Sequence, residues 1–266
     1  MSDKSVLTLE KRGNVALIGL NDPEHLNATS MAMIEELHEV LTREAAAGTQ
    51  RFVFHGHGPS FSSGAHMDDY LQTLRDVQSN NAHRFYESER KLLEVARILR
   101  RPTTFSVTAI HGWAVGMGVE IGLACDFIVA ADDAMFWMPE TASGWNAGMG
   151  VANRLTRTVG TGWARRMLIL NEKVPAKTAL DIGLVARLVP AANVVDEALK
   201  VIAQMDRHSP LATQYQKRLL DILPNVAIDD SMELEIITGY WLAHTHDVRE
   251  AAQAFVEKRR PDFTGS

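Results

Sequence analysis

Residues 109–140 read "AIHGWAVGMGVEIGLACDFIVAADDAMFWMPE". A strand-like start runs into the glycine turn "HGWAVGMG", an apolar helix through Ala124 follows, and "FIVAA" and "AMFWM" are two further strands. Although this is among the most apolar parts of the chain, it keeps Glu120 in the helix and Glu140 just after the aromatic strand. An ionised carboxylate is costly in apolar surroundings, so each needs a reason. Glu120 falls on the first helical turn, where the helix dipole favours negative charge, and a capped structural role would suffice. Glu140, in "MPET", could likewise be a turn residue. Taken together beside glycine turns, the pair points to acid–base chemistry next to a polarised carbonyl.

The same alternation extends outward. "VLTLEKRGNVALIGL" predicts a hairpin turning at Arg12-Gly13-Asn14, and "NDPEHLNATS" a loop whose Ser30 caps a helix from Met31. "RFVFHGHG" predicts a buried strand and "TTFSVTAI" another; the segment from Asp69 to Leu99 between them is helical by period. From Gly160 onward the pattern is mostly helical, interrupted by the strand-like "GLVARLVP". Repeated β-then-α units indicate an α/β fold of parallel strands joined by crossovers. The predicted organisation is a core over residues 1–195 and a C-terminal helical region over residues 196–266.

The 266 residues are 46% apolar and 23% charged, ordinary globular composition. A net charge of −6 supplies no basic stripe for nucleic acid. The single cysteine, Cys125, excludes intrachain disulfides and Cys-based zinc sites and fits a reducing compartment. The N-terminal stretch lacks a signal-peptide pattern, and no apolar run approaches the roughly 18 residues of a membrane span. The expectation is a soluble, cytoplasmic protein with no nucleic-acid or membrane partner and no metal.

Two loops could supply hydrogen-bond donors. In "GPSFSSGAHMDD" a strand is followed by small residues leading to Gly64-Ala65-His66, and a glycine before a helix start leaves N–H groups pointing outward. Read alone, this is an ordinary strand-to-helix loop. "HGWAVGMGVEIG" repeats the architecture, and two such turns could each aim an N–H at one oxygen, as an oxyanion hole requires. A dinucleotide-binding loop is the rival reading, but Gly116-x-Gly118-x-x-x-Gly122 is not its spacing and the loop lies mid-chain. His55, His57 and His66 lack metal-ligand spacing. Trp137 and Trp145 fit a core as well as a binding wall, and "EKRRP" fits a solvated face.

These residues together resemble a known superfamily. "FSSGAHMDD" is similar to the F-S-x-G-A-D segment of the crotonase (enoyl-CoA hydratase/isomerase) superfamily, residues 109–140 to its central signature, and "GLVARLVP" and "AFVEKRRPDF" to its later landmarks. The resemblance covers nearly the whole chain. It implies a crotonase-type ββα spiral, a C-terminal helical trimerisation region, a homohexamer built as a dimer of trimers, and an acyl-CoA thioester substrate. No separate cofactor is implied, because coenzyme A is part of the substrate. Superfamily members that hydrate enoyl-CoA carry two glutamates, at positions matching Glu120 and Glu140; many relatives with other chemistry lack one. The backbone N–H groups of Ala65 and Met117 match the oxyanion donors. Gly64, His66, Phe255 and Lys258 match CoA-binding positions, the last two often serving a neighbouring subunit.

The chain also departs from the pattern. His66 stands where Asp is usual, and Met117 where Gly is frequent. Trp145, Asn146 and Ala147 replace a common aliphatic pair and proline. With Trp137 nearby, an aromatic acyl pocket suits a short chain, and sulfur contacts such rings favourably. Length and glutamate placement resemble the methylthioacryloyl-CoA hydratases of dimethylsulfoniopropionate breakdown, in which thioester hydrolysis can follow hydration. A CoA-thioester hydrolase or enoyl-CoA isomerase on the same scaffold is the alternative. A non-catalytic or RNA-binding relative is more remote, given the retained acids and missing basic patch.

Overall fold

The computed structural model describes residues 5–266. Its chain divides into two compact units that meet in sequence between Leu199 and Lys200.

The first unit begins with β1 (Leu7–Arg12) and β2 (Val15–Leu20), an antiparallel hairpin with Leu7 opposite Leu20. Then follow α1 (Met31–Ala46), β3 (Arg51–Gly56), α2 (Met67–Gln78), α3 (His83–Arg100), β4 (Phe105–Ile110) and β5 (Trp113–Val115). The chain continues through α4 (Met117–Ala124), β6 (Phe127–Ala131), β7 (Met135–Trp137), α5 (Val151–Leu168), β8 (Val174–Pro175), α6 (Ala176–Asp181), β9 (Arg187–Val189) and α7 (Val194–Met205). Six strands form one sheet in the order β1-β2-β3-β4-β6-β9, parallel from β2 onward. A second sheet of β5, β7 and β8 receives the strand that follows each of β4 and β6. The circuits β4–β5–α4 and β6–β7–α5 thus each lay one strand in each sheet before a helix follows, which is the turn of a ββα spiral.

Local chemistry sets the element ends. The Ser30 hydroxyl accepts a hydrogen bond from the Met33 N–H at 3.1 Å and caps α1, as the sequence predicts. Between the sheets and helices Phe52, Phe54, Phe61 and Phe136 are fully buried with Ile18, Leu20, Ile110 and Ile121. Each such side chain contributes roughly 1.5–3 kcal/mol of apolar burial.

Two expectations are corrected. The segment from Asp69 to Leu99 is not one helix: α2 ends at Gln78, and Asn80 turns the chain in the left-handed region at φ 64° before α3. Asparagine tolerates that conformation, and the Asn81 N–H closes the turn on the Asp76 carbonyl at 2.8 Å. The stretch read as a plain glycine turn contains β5, whose three residues are too few for a period and owe their form to pairing with β7.

The second unit contains α8 (Pro210–Ile222), α9 (Ile228–Leu242) and α10 (His246–Glu257). The buried Asp247 accepts from the Ser209 hydroxyl at 2.7 Å and the Thr264 N–H at 2.9 Å, tying the tail to the start of α8. Much of α9 is apolar yet uncovered within the chain, including Ile236 at 71% and Trp241 at 63% exposure. No helix among the described residues is long and apolar enough to cross a membrane.

Candidate active site

The site is built from backbone before side chains. Ser62 is held against β5 by its N–H to the Trp113 carbonyl at 2.9 Å and by the Val115 N–H to its own carbonyl at 3.0 Å. On its other side, the Thr29 N–H bonds the Gly64 carbonyl at 2.6 Å and the His66 N–H bonds the Thr29 carbonyl at 3.0 Å. These bonds bring the Gly64 and Gly116 turns side by side: a β-carbon on Gly116 would lie 3.9 Å from the Gly64 α-carbon. Both glycines need positive φ, 94° at Gly64 and 47° at Gly116. The next residues, Ala65 and Met117, have N–H groups with no hydrogen-bond partner among the described residues. Two free amide donors therefore flank one small region, the arrangement that can stabilise a developing oxyanion.

The carboxyls sit against this region. A β-carbon on Gly116 would lie 2.8 Å from Glu140 Oε1, so the Glu140 side chain lies directly on that turn. Its other oxygen, Oε2, is buried without a hydrogen-bond partner. Burial pushes the Glu140 carboxyl above its ordinary range. Glu120, on the first turn of α4, is only 4% exposed and accepts a 2.8 Å hydrogen bond from the Gly148 N–H. Burial pushes it up to about 7; the Gly148 N–H opposes this, while the charges of Glu140 and Glu89 add to it. The helix dipole noted from the sequence is thus outweighed by desolvation, leaving a carboxyl poised near neutrality.

That shift makes stability depend on pH. The folded-state value lies above the ordinary 4.5, so between 4.5 and about 7 the unfolded chain releases a proton the folded chain keeps. Stability from this group is full below 4.5, declines as pH rises, and is lost above about 7. The difference is about 3 kcal/mol. Denaturation of wild type and Glu120→Gln from pH 4 to 8 checks this: the variant should gain on wild type by that amount, all within the stated window. A parallel pair of curves would show that Glu120 titrates normally.

The remaining sequence candidates are dispersed. Trp137 donates its indole N–H to the Asn171 carbonyl at 2.9 Å, with Lys173 Nζ 4.8 Å from its ring centroid. Trp145 instead packs edge-on against Tyr70 of α2 and Phe85 of α3, at 5.9 and 5.8 Å between centroids. The Trp145 backbone N–H bonds the Glu140 carbonyl at 2.9 Å, so this residue borders the carboxyl loop. His66 stands at the start of α2, its ring 5.4 Å from that of His25 and its Nδ1 buried without a partner. His55 and His57 form a separate pair 4.8 Å apart, with His57 bonded to Thr8. Among the described residues no three His, Cys, Asp or Glu side chains gather as metal ligands would. Phe255 and Lys258 belong to the second unit, exposed at the end of α10, where Lys258 is the left-handed C-cap at φ 56°. Sequence reading passed over Tyr70, Phe85 and Glu89. The four-residue spacing of Phe85 and Glu89 on one helical face was the available signal.

Comparison with known proteins gives the class to which this fold belongs. Residues 10–266 match the family described as enoyl-CoA hydratase/isomerase. The 2,3-dehydroadipyl-CoA hydratase of Escherichia coli is 32% identical over 269 residues, covering 98% of this chain and 99% of that protein. The short-chain-enoyl-CoA hydratase of Clostridium acetobutylicum is 28% identical over 254 residues, 95% of each chain. The crystal structure of an enoyl-CoA hydratase from Bacillus anthracis superimposes with a TM-score of 0.86 at 27% identity, covering 98% of this chain and 100% of that one. The chain belongs to the enoyl-CoA hydratase/isomerase family. It is an enzyme of the hydratase, or hydro-lyase, type.

Proposed function

We propose that this enzyme adds water across the double bond of a short-chain 2-enoyl-CoA thioester. One observation carries the reading: two unengaged amides, of Ala65 and Met117, adjoin the buried carboxyl of Glu120 and the half-buried Glu140 in a single region. The thioester oxygen accepts from both amides, which stabilise the enolate formed as water oxygen bonds Cβ. Glu120, near neutrality, takes the proton from water. Glu140, beside the Gly116 turn and so nearer the carbonyl, holds the proton that goes to Cα. Enoyl-CoA and water give 3-hydroxyacyl-CoA, with Glu120 left protonated and Glu140 ionised until solvent resets them. Incubating the purified protein with a panel of short enoyl-CoAs, with mass spectrometry of products and free thiol, tests the reading. Thioester cleavage without hydration would overturn it in favour of a hydrolase.

Within that class we assign the acyl end to Trp145, backed by Tyr70 and Phe85, with Trp137 steadying the strand that leads to Glu140. An aromatic wall suits a short acyl group and favours sulfur, which supports methylthioacryloyl-CoA as substrate and a role in dimethylsulfoniopropionate breakdown. Trp145→Leu should then shift preference toward longer enoyl-CoAs, by about 0.8 kcal/mol for each methylene newly buried. Chain-length profiles of kcat/KM, read with melting temperature, check this. A destabilised variant with an unchanged profile would make Trp145 simply core.

For the CoA end we assign Gly64 and His66, with Phe255 and Lys258 serving the CoA bound by a neighbouring subunit. Lys258→Ala should weaken binding of CoA esters but spare pantetheine thioesters, because a 3′-phosphate contact of this kind is worth about 1.5–3 kcal/mol. Equal losses on both ligands would remove Lys258 from the site. The uncovered apolar side chains of α9 and α10, Phe255 at 85% exposure among them, support a homo-oligomer, and we assign the trimer-paired hexamer. We place the enzyme in the cytoplasm, where a chain with a single cysteine, and so no intrachain disulfide, is at home.

A further inference from the structure

Phe85 and Glu89 lie four residues apart on α3 and so share a face. That face meets the loop between Glu140 and Gly148, since the Phe85 ring is edge-on to Trp145 at 5.8 Å. The same loop carries the Gly148 N–H that holds Glu120 at 2.8 Å. Glu89 is half-buried and has no hydrogen-bond or ion-pair partner among the described residues. Two cations of α3 are engaged elsewhere: Lys91 pairs with Glu35 at 3.1 Å and Arg84 approaches Asp76 at 3.7 Å. Only acids bear on Glu120, namely Glu140 and Glu89, and burial alone lifts the Glu89 carboxyl. The acyl end assigned above is therefore bordered by aromatic rings and by a carboxyl that no cation neutralises among the described residues.

We propose that Glu89 is a specificity-determining residue that reserves the acyl end for uncharged enoyl groups and turns away chains ending in a carboxylate. This rests on the hydratase reading above and deepens it to a substrate class. A carboxylate-ended chain would enter a partly desolvated space already holding like charge, and specificity is commonly built from such repulsion. On this reading the enzyme takes a different acyl class from its Escherichia coli relative, whose name specifies a dicarboxylic acyl group.

The test compares kcat/KM for 2-hexenedioyl-CoA with that for its ω-methyl ester, which is larger but uncharged at that end, with crotonyl-CoA as reference. Wild type should favour the ester by on the order of tenfold or more, the scale of one unit charge near a partly buried site. Glu89→Gln and Glu89→Leu should each raise the acid-to-ester ratio by on the order of tenfold, whatever their absolute rates. Equal use of acid and ester by wild type overturns the proposal. So does a ratio unchanged in either variant when its melting temperature is near wild type. If the ester fares as badly as the acid while crotonyl-CoA is hydrated, size decides and the proposal falls while the hydratase reading stands. Failure on crotonyl-CoA and the ester together overturns both.

Discussion

Replacing Glu120 or Glu140 by Gln is expected to lower kcat/KM for the best enoyl-CoA by about 10²–10⁴, the usual contribution of a positioned acid or base. Gln keeps the shape and the capacity to accept a hydrogen bond from the Gly148 N–H, so the loss isolates proton transfer. The two effects should not add, because both groups act on one transition state. The double variant should fall little below the worse single one. Steady-state kinetics with a melting curve for each protein decides the matter. Near-full turnover by either folded variant would remove that carboxyl from the chemistry and favour an isomerase or hydrolase that uses one acid only.

Gly116→Ala should be nearly as damaging, by about 10²–10³ in kcat, although no reacting side chain is touched. The new β-carbon would stand 2.8 Å from Glu140 Oε1, and φ of 47° is unfavourable for alanine. Relief requires either Glu140 or the turn carrying the Met117 N–H to move, and loss of one oxyanion donor typically costs that much. Gly13→Ala is the matched control. Its φ is 62°, yet a β-carbon there meets nothing within 4 Å, so it reports backbone strain without intrusion on the site. The control should lose stability by about 1–3 kcal/mol and keep its activity. Equal activity losses in both would mean that strain, not the Gly116–Glu140 contact, limits the rate.

Much of this molecule is written locally. Alternation of short β-rich runs with amphipathic segments specifies a parallel α/β chain, because side-chain periods of 2 and 3.6 are properties of the backbone itself. Ser30 marks a helix start because its hydroxyl reaches an amide three residues on, and Gly64 and Gly116 mark turns because left-handed backbone favours glycine. Two acids amid apolar residues stand out in any reading, since burying charge is expensive. The tertiary fold decided what lies beyond local reach. Three residues form β5 only because β7 lies beside them, and Asn80 divides one helical period into two helices that pack on each other. Only the sheets bring the turns at Gly64 and Gly116 together. The pull of a helix dipole on Glu120 could be read from its place in α4, but its carboxyl is lifted to about 7 by a desolvation that depends on everything packed around it. Glu89, polar and mid-helix, looks like any surface acid in the sequence. Its charge matters because α3 carries it to the loop that holds the other two, and proximity across a fold is not encoded in any window of residues.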